Sequence, residues 1–160
     1  MIIQMIGQFI YSSLATYGFC LIFNVRGMIA MSASFVGGLG WMVYIISSKL
    51  GFSIGVAFFL AGVVVTLGSE IIARILKTPV TSALIPTFTP LVPGGGAYYT
   101  MLYLFNGEYT RAMEKGAETF IISVAIIIGF VIVTEMFKLY GKRVKKLKEK
   151  EQKIEKNKCS

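Results

Sequence analysis

The residues best suited to chemistry lie in one uncharged stretch, Pro86-Thr87-Phe88-Thr89-Pro90-Leu91-Val92-Pro93-Gly94-Gly95-Gly96-Ala97-Tyr98-Tyr99-Thr100. Its prolines and its three consecutive glycines oppose a continuous helix. Proline lacks an N–H and clashes with the carbonyl four residues back, and each glycine costs about 1 kcal/mol relative to alanine. The sequence therefore predicts a break over residues 86–96. A helix that resumes after the glycines leaves the amides of Gly95, Gly96 and Ala97 free and presents its positive dipole end, which suits a carboxylate. Carbonyls exposed from Thr87 to Pro90 suit an ammonium or a cation. Hydroxyls on Thr87, Thr89, Tyr98, Tyr99 and Thr100 complete a candidate substrate-binding set with Pro90, Pro93, Gly94, Gly95 and Gly96. The competing reading is a proline kink used only for packing.

Glu70 and Arg74, one helical turn apart, form a second candidate. They read either as a structural ion pair near the headgroups or as a coupling site in which Glu70 carries a proton beside the solute path, since acids at membrane depth are costly. Conventional catalysis has little to work with. The chain has no histidine and two cysteines, Cys20 and Cys159, and it lacks a phosphate-binding loop motif. No catalytic residue, metal site or cofactor is expected, and Cys20 reads as a small apolar packing residue.

The elements that must position these groups are membrane helices. Of 160 residues 55% are hydrophobic, and the mean hydropathy is +0.71, which excludes an ordinary soluble domain. Uncharged runs cover residues 1–25, 27–48, 50–69, 78–107 and 119–134, and four of them reach the length of about 20 residues that spans a bilayer. The fifth gains length from apolar neighbours, with Glu118 and Glu135 at the interfaces. The expected fold is all-α, with about five transmembrane helices, the fourth broken at the Pro/Gly segment. Thr78 and Pro79 should cap a short helix ending near Ile85, and a second should run over residues 97–105. Residues 1–23 lack a basic leader and a small-residue cleavage site, so they are expected to stay as a helix.

The domain division follows charge: a transmembrane domain over residues 1–137 and a basic cytoplasmic tail over residues 138–160. The tail carries ten basic and three acidic residues and accounts for most of the net charge of +8. It is expected to meet anionic lipid and not nucleic acid. Tyr140, Val144, Leu147 and Ile154 recur at helical spacing, so the last helix is expected to continue into the tail. Five crossings place Arg26, Arg74, Lys77 and the tail on one side, against Lys49, Arg111 and Lys115 on the other. The excess of basic residues puts the C-terminus in the cytoplasm of an inner-membrane, multi-pass protein. A re-entrant fourth segment would move only the N-terminus.

Small residues suggest helix contacts: Gly51 with Gly55, and Ala33 with Gly37 beside Gly38 and Gly40. Tyr17, Trp41 and Tyr44 read as interface anchors or packing aromatics.

Phe23-Asn24-Val25, Gly37-Gly38-Leu39-Gly40-Trp41, Glu70-Ile71-Ile72-Ala73-Arg74 with Lys77-Thr78-Pro79, and above all Pro86-x-x-x-Pro90-Leu91-Val92-Pro93-Gly94-Gly95-Gly96-x-Tyr98-Tyr99 resemble the threonine/serine exporter family. The resemblance covers residues 14–133 and matches the smaller, C-terminal-type half; Arg26-Gly27 and the lysine-rich tail depart from the pattern. It implies one subunit of a two-component secondary exporter, working with a larger companion subunit on threonine, serine or, alternatively, small dicarboxylates such as succinate. A homo-oligomer is the other way to complete the path. From a different class, a noncatalytic membrane subunit of an ATP-driven importer fits the same helices.

Overall fold

The computed structural model describes residues 2–158, with side chains over residues 3–141. Among these residues there are six α-helices and no strand: α1 (Ile2–Ile22), α2 (Met28–Lys49), α3 (Ile54–Leu76), α4 (Val80–Phe88), α5 (Gly94–Phe105) and α6 (Tyr109–Lys158), with a 3-10 turn at Thr89–Leu91 between α4 and α5. Ile3–Ile22, Met28–Lys49, Ile54–Leu76 and Tyr109–Gly141 are each long and apolar enough to cross a membrane. The chain is a polytopic, all-helical membrane protein. Helix α6 continues through the basic tail, but the tail's lipid contacts and its apolar spacing from Val144 onward lie outside the described side chains.

Tight turns join the first three helices. Asn24 (φ 56°) and Gly27 (φ 69°) take left-handed conformations between α1 and α2, and Gly51 (φ 85°) does so between α2 and α3. Asparagine and glycine adopt this region at least cost. Gly51 therefore belongs to the turn and not to a Gly-x-x-x-Gly face with Gly55, which alone of the two packs on α6, against Ile121. The α2 glycines do sit at close approaches. A Cβ on Gly37 would strike Thr16, one on Gly38 would strike Ser13 and Phe9, and one on Gly40 would strike Val65. In lipid, where apolar surface gains little by association, such close backbone packing holds helices together.

Pairs across the interfaces give the helix directions. Thr16 with Gly37 and Gln8 with Trp41 make α1 and α2 antiparallel, and Val36 with Gly68 and Tyr44 with Phe58 do the same for α2 and α3. Helix α6 runs parallel to α3: Gly55 meets Ile121, Gly62 meets Ile126, and Arg74 lies over Phe137. Helix α4 runs back along α3, with Thr87 on Ser69, and α5 runs antiparallel to α6, with Gly96 on Thr119 and Thr100 on Gly116. The interrupted segment thus travels from the Arg74 end of the bundle to the Lys49 end. It runs on in one direction along the bundle and does not fold back on itself as a hairpin would. At 1.5 Å per α-helical and 2 Å per 3-10 residue, its helical parts together have a contour of roughly 37 Å, comparable to a hydrocarbon core of about 30 Å.

The interruption is narrower than residues 86–96. Pro86 lies inside α4, which continues to Phe88; it denies a bond to the Ser82 carbonyl four residues back, and the helix absorbs that single loss. The chain breaks at Val92, whose extended conformation (φ −63°, ψ 125°) is the one favoured before proline, here Pro93. Gly94, Gly95 and Gly96 then form the first turn of α5, three residues before the predicted start. Helix α4 is capped by Pro79 and starts at Val80, without a side-chain cap, and the buried Thr78 hydroxyl has no hydrogen-bond partner.

Two buried clusters stack along the bundle. Toward the Arg74 end, Cys20, Ala30, Ala33, Ile72 and Ala83 pack together with Val25, Ile29, Val36 and Leu76 around them. Toward the Lys49 end, Phe58, Ala61, Val65, Leu91, Ile122 and Ile126 pack with Trp41, Tyr44 and Phe88. Leu91, fully buried next to Gly40 and Val65, places the 3-10 turn at mid-depth, because those two residues lie at the centres of α2 and α3.

Candidate functional site

A cavity of about 330 Å³ opens on the Lys49 side of the break. Its floor is the interrupted backbone itself, from Pro90 through Pro93 to Gly95 and Gly96. One wall comes from α2 and α3, through Trp41, Tyr44, Ile54 and Phe58; the other comes from α5 and α6, through Tyr99, Lys115, Glu118, Thr119 and Ile122. Trp41 and Tyr44 have ring centroids 5.0 Å apart, and Tyr44 and Phe58 4.4 Å apart, so the α2–α3 wall is a packed aromatic face. The Trp41 Nε1–H donates to Gln8 Oε1 at 3.0 Å, which fixes the indole at its rim.

The start of α5 supplies polar backbone. The Gly94 N–H donates to the Val92 carbonyl at 2.8 Å, and the first amide to bond back from the helix is Ala97, to the Pro93 carbonyl at 3.2 Å. Ala97 is therefore not free, contrary to the sequence expectation, and the unclaimed amides in this turn are those of Gly95 and Gly96, which have no side-chain cap. The two glycines differ. A Cβ on Gly95 would meet nothing within 4 Å, whereas one on Gly96 would lie 2.2 Å from Thr119 Oγ1. Gly95 borders open space, and Gly96 is where α5 leans on α6.

The other expected substrate residues fall in different surroundings. Pro90, Pro93 and Tyr99 line the cavity with the two glycines, and Gly94 sits at the break with open space beside it. Thr87 is fully buried away from the cavity, its hydroxyl 3.0 Å from that of Ser69 and within 2.8 Å of the Leu84 carbonyl. Thr89 donates to the Ile85 carbonyl at 3.4 Å, and its own carbonyl accepts from Val92. Of the carbonyls from Thr87 to Pro90, that of Thr89 is thus engaged within the 3-10 turn. Thr100 donates to the Gly96 carbonyl at 2.8 Å in the α5–α6 seam, and Tyr98 lies exposed on α5, edge-on to Tyr99.

Glu70 and Arg74 do not reach the cavity. Glu70 is buried, 6% exposed, with its Oε2 3.6 Å from Arg74 Nε, and the Arg74 guanidinium lies 4.5 Å from the Phe137 ring centre. This cluster belongs to the opposite half of the bundle, beyond the Ser69–Thr87 pair. Sequence reasoning placed Trp41 and Tyr44 among packing aromatics and Glu118 at an interface; all three line the cavity, together with Lys115 and Thr119. A Lys-x-x-Glu spacing at the start of an apolar helix was the available signal for the charged pair, whereas the aromatic wall needs the α2–α3 pairing to become visible.

A larger groove of about 640 Å³ lies between the start of α1 and the end of α2, around Gln4, Gln8, Tyr11 and Lys49. It touches no part of the interrupted segment. The break-side cavity is the better candidate because irregular backbone at membrane depth persists where it is buried or lines a polar space.

Long apolar helices, one interrupted at mid-depth where a cavity exposes its backbone, define the general class of polytopic membrane proteins built like transporters. The chain matches the model of the family described as threonine/serine exporter, ThrE, over residues 8–136, and it belongs to that family. Nothing matches the chain among curated proteins or among solved structures.

Proposed function

We propose that this chain is a subunit of a secondary exporter that carries small amino acids, threonine or serine foremost, and that the break-side cavity is its share of the solute path. The observation that carries the reading is the floor of that cavity, where the Gly95 and Gly96 amides are unclaimed and Gly95 has open space beside it. Free N–H groups at a helix start attract a carboxylate. The chain lies in the inner membrane with the basic Arg74 end in the cytoplasm, following the excess of lysine and arginine there. The cavity then opens outward, while the cluster around Cys20, Ala33 and Ile72 closes the cytoplasmic half.

A single interrupted helix is half of the paired arrangement on which many secondary transporters are built, so a larger companion subunit, or a second copy, completes the path. Glu70, buried and ion-paired in the closed half, carries the coupling proton. Proteoliposomes test both points. Threonine efflux is expected from vesicles holding chain and companion and not from the chain alone; efflux from the chain alone overturns the need for a companion and assigns the missing half to a second copy, and efflux absent under both conditions overturns the exporter reading. Glu70→Gln is expected to keep threonine binding and lose dependence on the proton gradient, and retained dependence removes Glu70 from coupling.

A further inference from the structure

Among the described residues, three ion pairs on or beside α6 have i,i+3 spacing: Glu108–Arg111, Lys115–Glu118 and Glu135–Lys138. In the first and last the acid precedes the base, the order that agrees with the helix dipole. Lys115–Glu118 reverses that order near the start of α6, where a base followed by an acid gains least from the helix. It is also the pair with the least combined exposure, its side chains 42% and 36% exposed, and the one that lines the cavity. Helix stability does not account for it.

We infer that Lys115 and Glu118 are the charge-recognition pair for a zwitterionic solute, opening on binding so that Glu118 receives the ammonium and Lys115 joins the Gly95 and Gly96 amides on the carboxylate. The inference rests on the exporter reading and deepens it. Thr119, next to Glu118 in sequence, touches Gly96, so the charged pair and the free amides border one space within about a helical turn of each other. The Thr89 carbonyl already accepts from Val92 in the 3-10 turn, and Glu118 is the carboxylate that lines the cavity. Trp41, Tyr44 and Tyr99 line the same cavity, and aromatic rings complement an ammonium. An empty site keeps Lys115 and Glu118 satisfied by each other; a bound zwitterion replaces each partner with one of its own ends, so neither charge is left unpaired.

The test measures selectivity, using membranes that contain the chain with its companion and three probes: threonine, 3-hydroxybutyrate, which lacks the ammonium, and 1-amino-2-propanol, which lacks the carboxylate. Glu118→Gln is expected to weaken threonine binding about tenfold or more while 3-hydroxybutyrate binding stays within about threefold, as loss of one charge-assisted hydrogen bond requires. Lys115→Gln is expected to spare 1-amino-2-propanol in the same way. If all probes weaken in parallel, or none changes, the pair is structural and the inference is overturned while the exporter reading stands. If the unsubstituted complex neither binds nor exports threonine or serine, both fall together.

Discussion

The two halves of the interrupted helix are built differently. Helix α4 packs against α1, α2 and α3, and Ala83, Leu84, Pro86 and Thr87 are buried within it. Helix α5 packs on α6 alone, has no buried residue, and exposes Tyr98, Tyr99 and Phe105. Polar groups follow the same division: the Thr87 hydroxyl is locked to Ser69 and to its own helix, whereas the Gly95 and Gly96 amides at the start of α5 make no hydrogen bond. Breaking one helix therefore gives the bundle a fixed half and a half free to meet a solute or a partner subunit, with Leu91 as the pin between them.

Substitutions on either side of that pin should separate the two roles. The largest loss of stability is expected from Leu91→Ala, which empties a fully buried site where the turn meets α2 and α3. About 2 kcal/mol is expected, at the low end of such substitutions, because an unfolded reference within the bilayer also keeps the side chain from water. Thermal unfolding of the detergent-purified protein measures it, and an unchanged midpoint would deny the pin. Thr87→Val is next, at about 1 to 2 kcal/mol, since it leaves the buried Ser69 hydroxyl without its cross-helix partner. A stability equal to the parent's in the same melt would mean that α4 is not anchored there. On the free half, Tyr98→Ala should cost less than about 0.5 kcal/mol, as for an exposed side chain outside the packing. A loss matching Thr87→Val would erase the contrast between the halves.

Much of this arrangement was legible in the residues, because lipid imposes strong rules. Charge-free runs gave the spans, and proline with glycine marked the fourth as broken. The extent of the break was less legible: Pro86 and the three glycines lie inside helices, Ile85 and Thr89 stay helical before their prolines, and Val92 before Pro93 is where the extended conformation is taken, so the bias against helix before proline does not by itself mark the break. Tertiary pairing decided the rest. Thr87 and Thr100 look like solute ligands in sequence, yet each hydroxyl satisfies a neighbouring carbonyl, a common fate for threonine in a helix. Trp41 and Tyr44 reach the cavity because α2 lies beside α3, and no spacing within α2 reveals that.

Gly95→Val puts the central claim to its most direct test. The position has open space and no strained backbone, so valine should fit the fold while filling the cavity floor. Gly96→Val provides the contrast, because its side chain would drive into Thr119 and lower membrane abundance instead. In threonine-loaded cells, efflux per folded Gly95→Val protein is expected to fall about tenfold or more with abundance near the parent's, as blocked access to the free amides requires. Normal efflux after correction for abundance would contradict the account, leaving the Pro/Gly break as a packing kink with no part in the solute path.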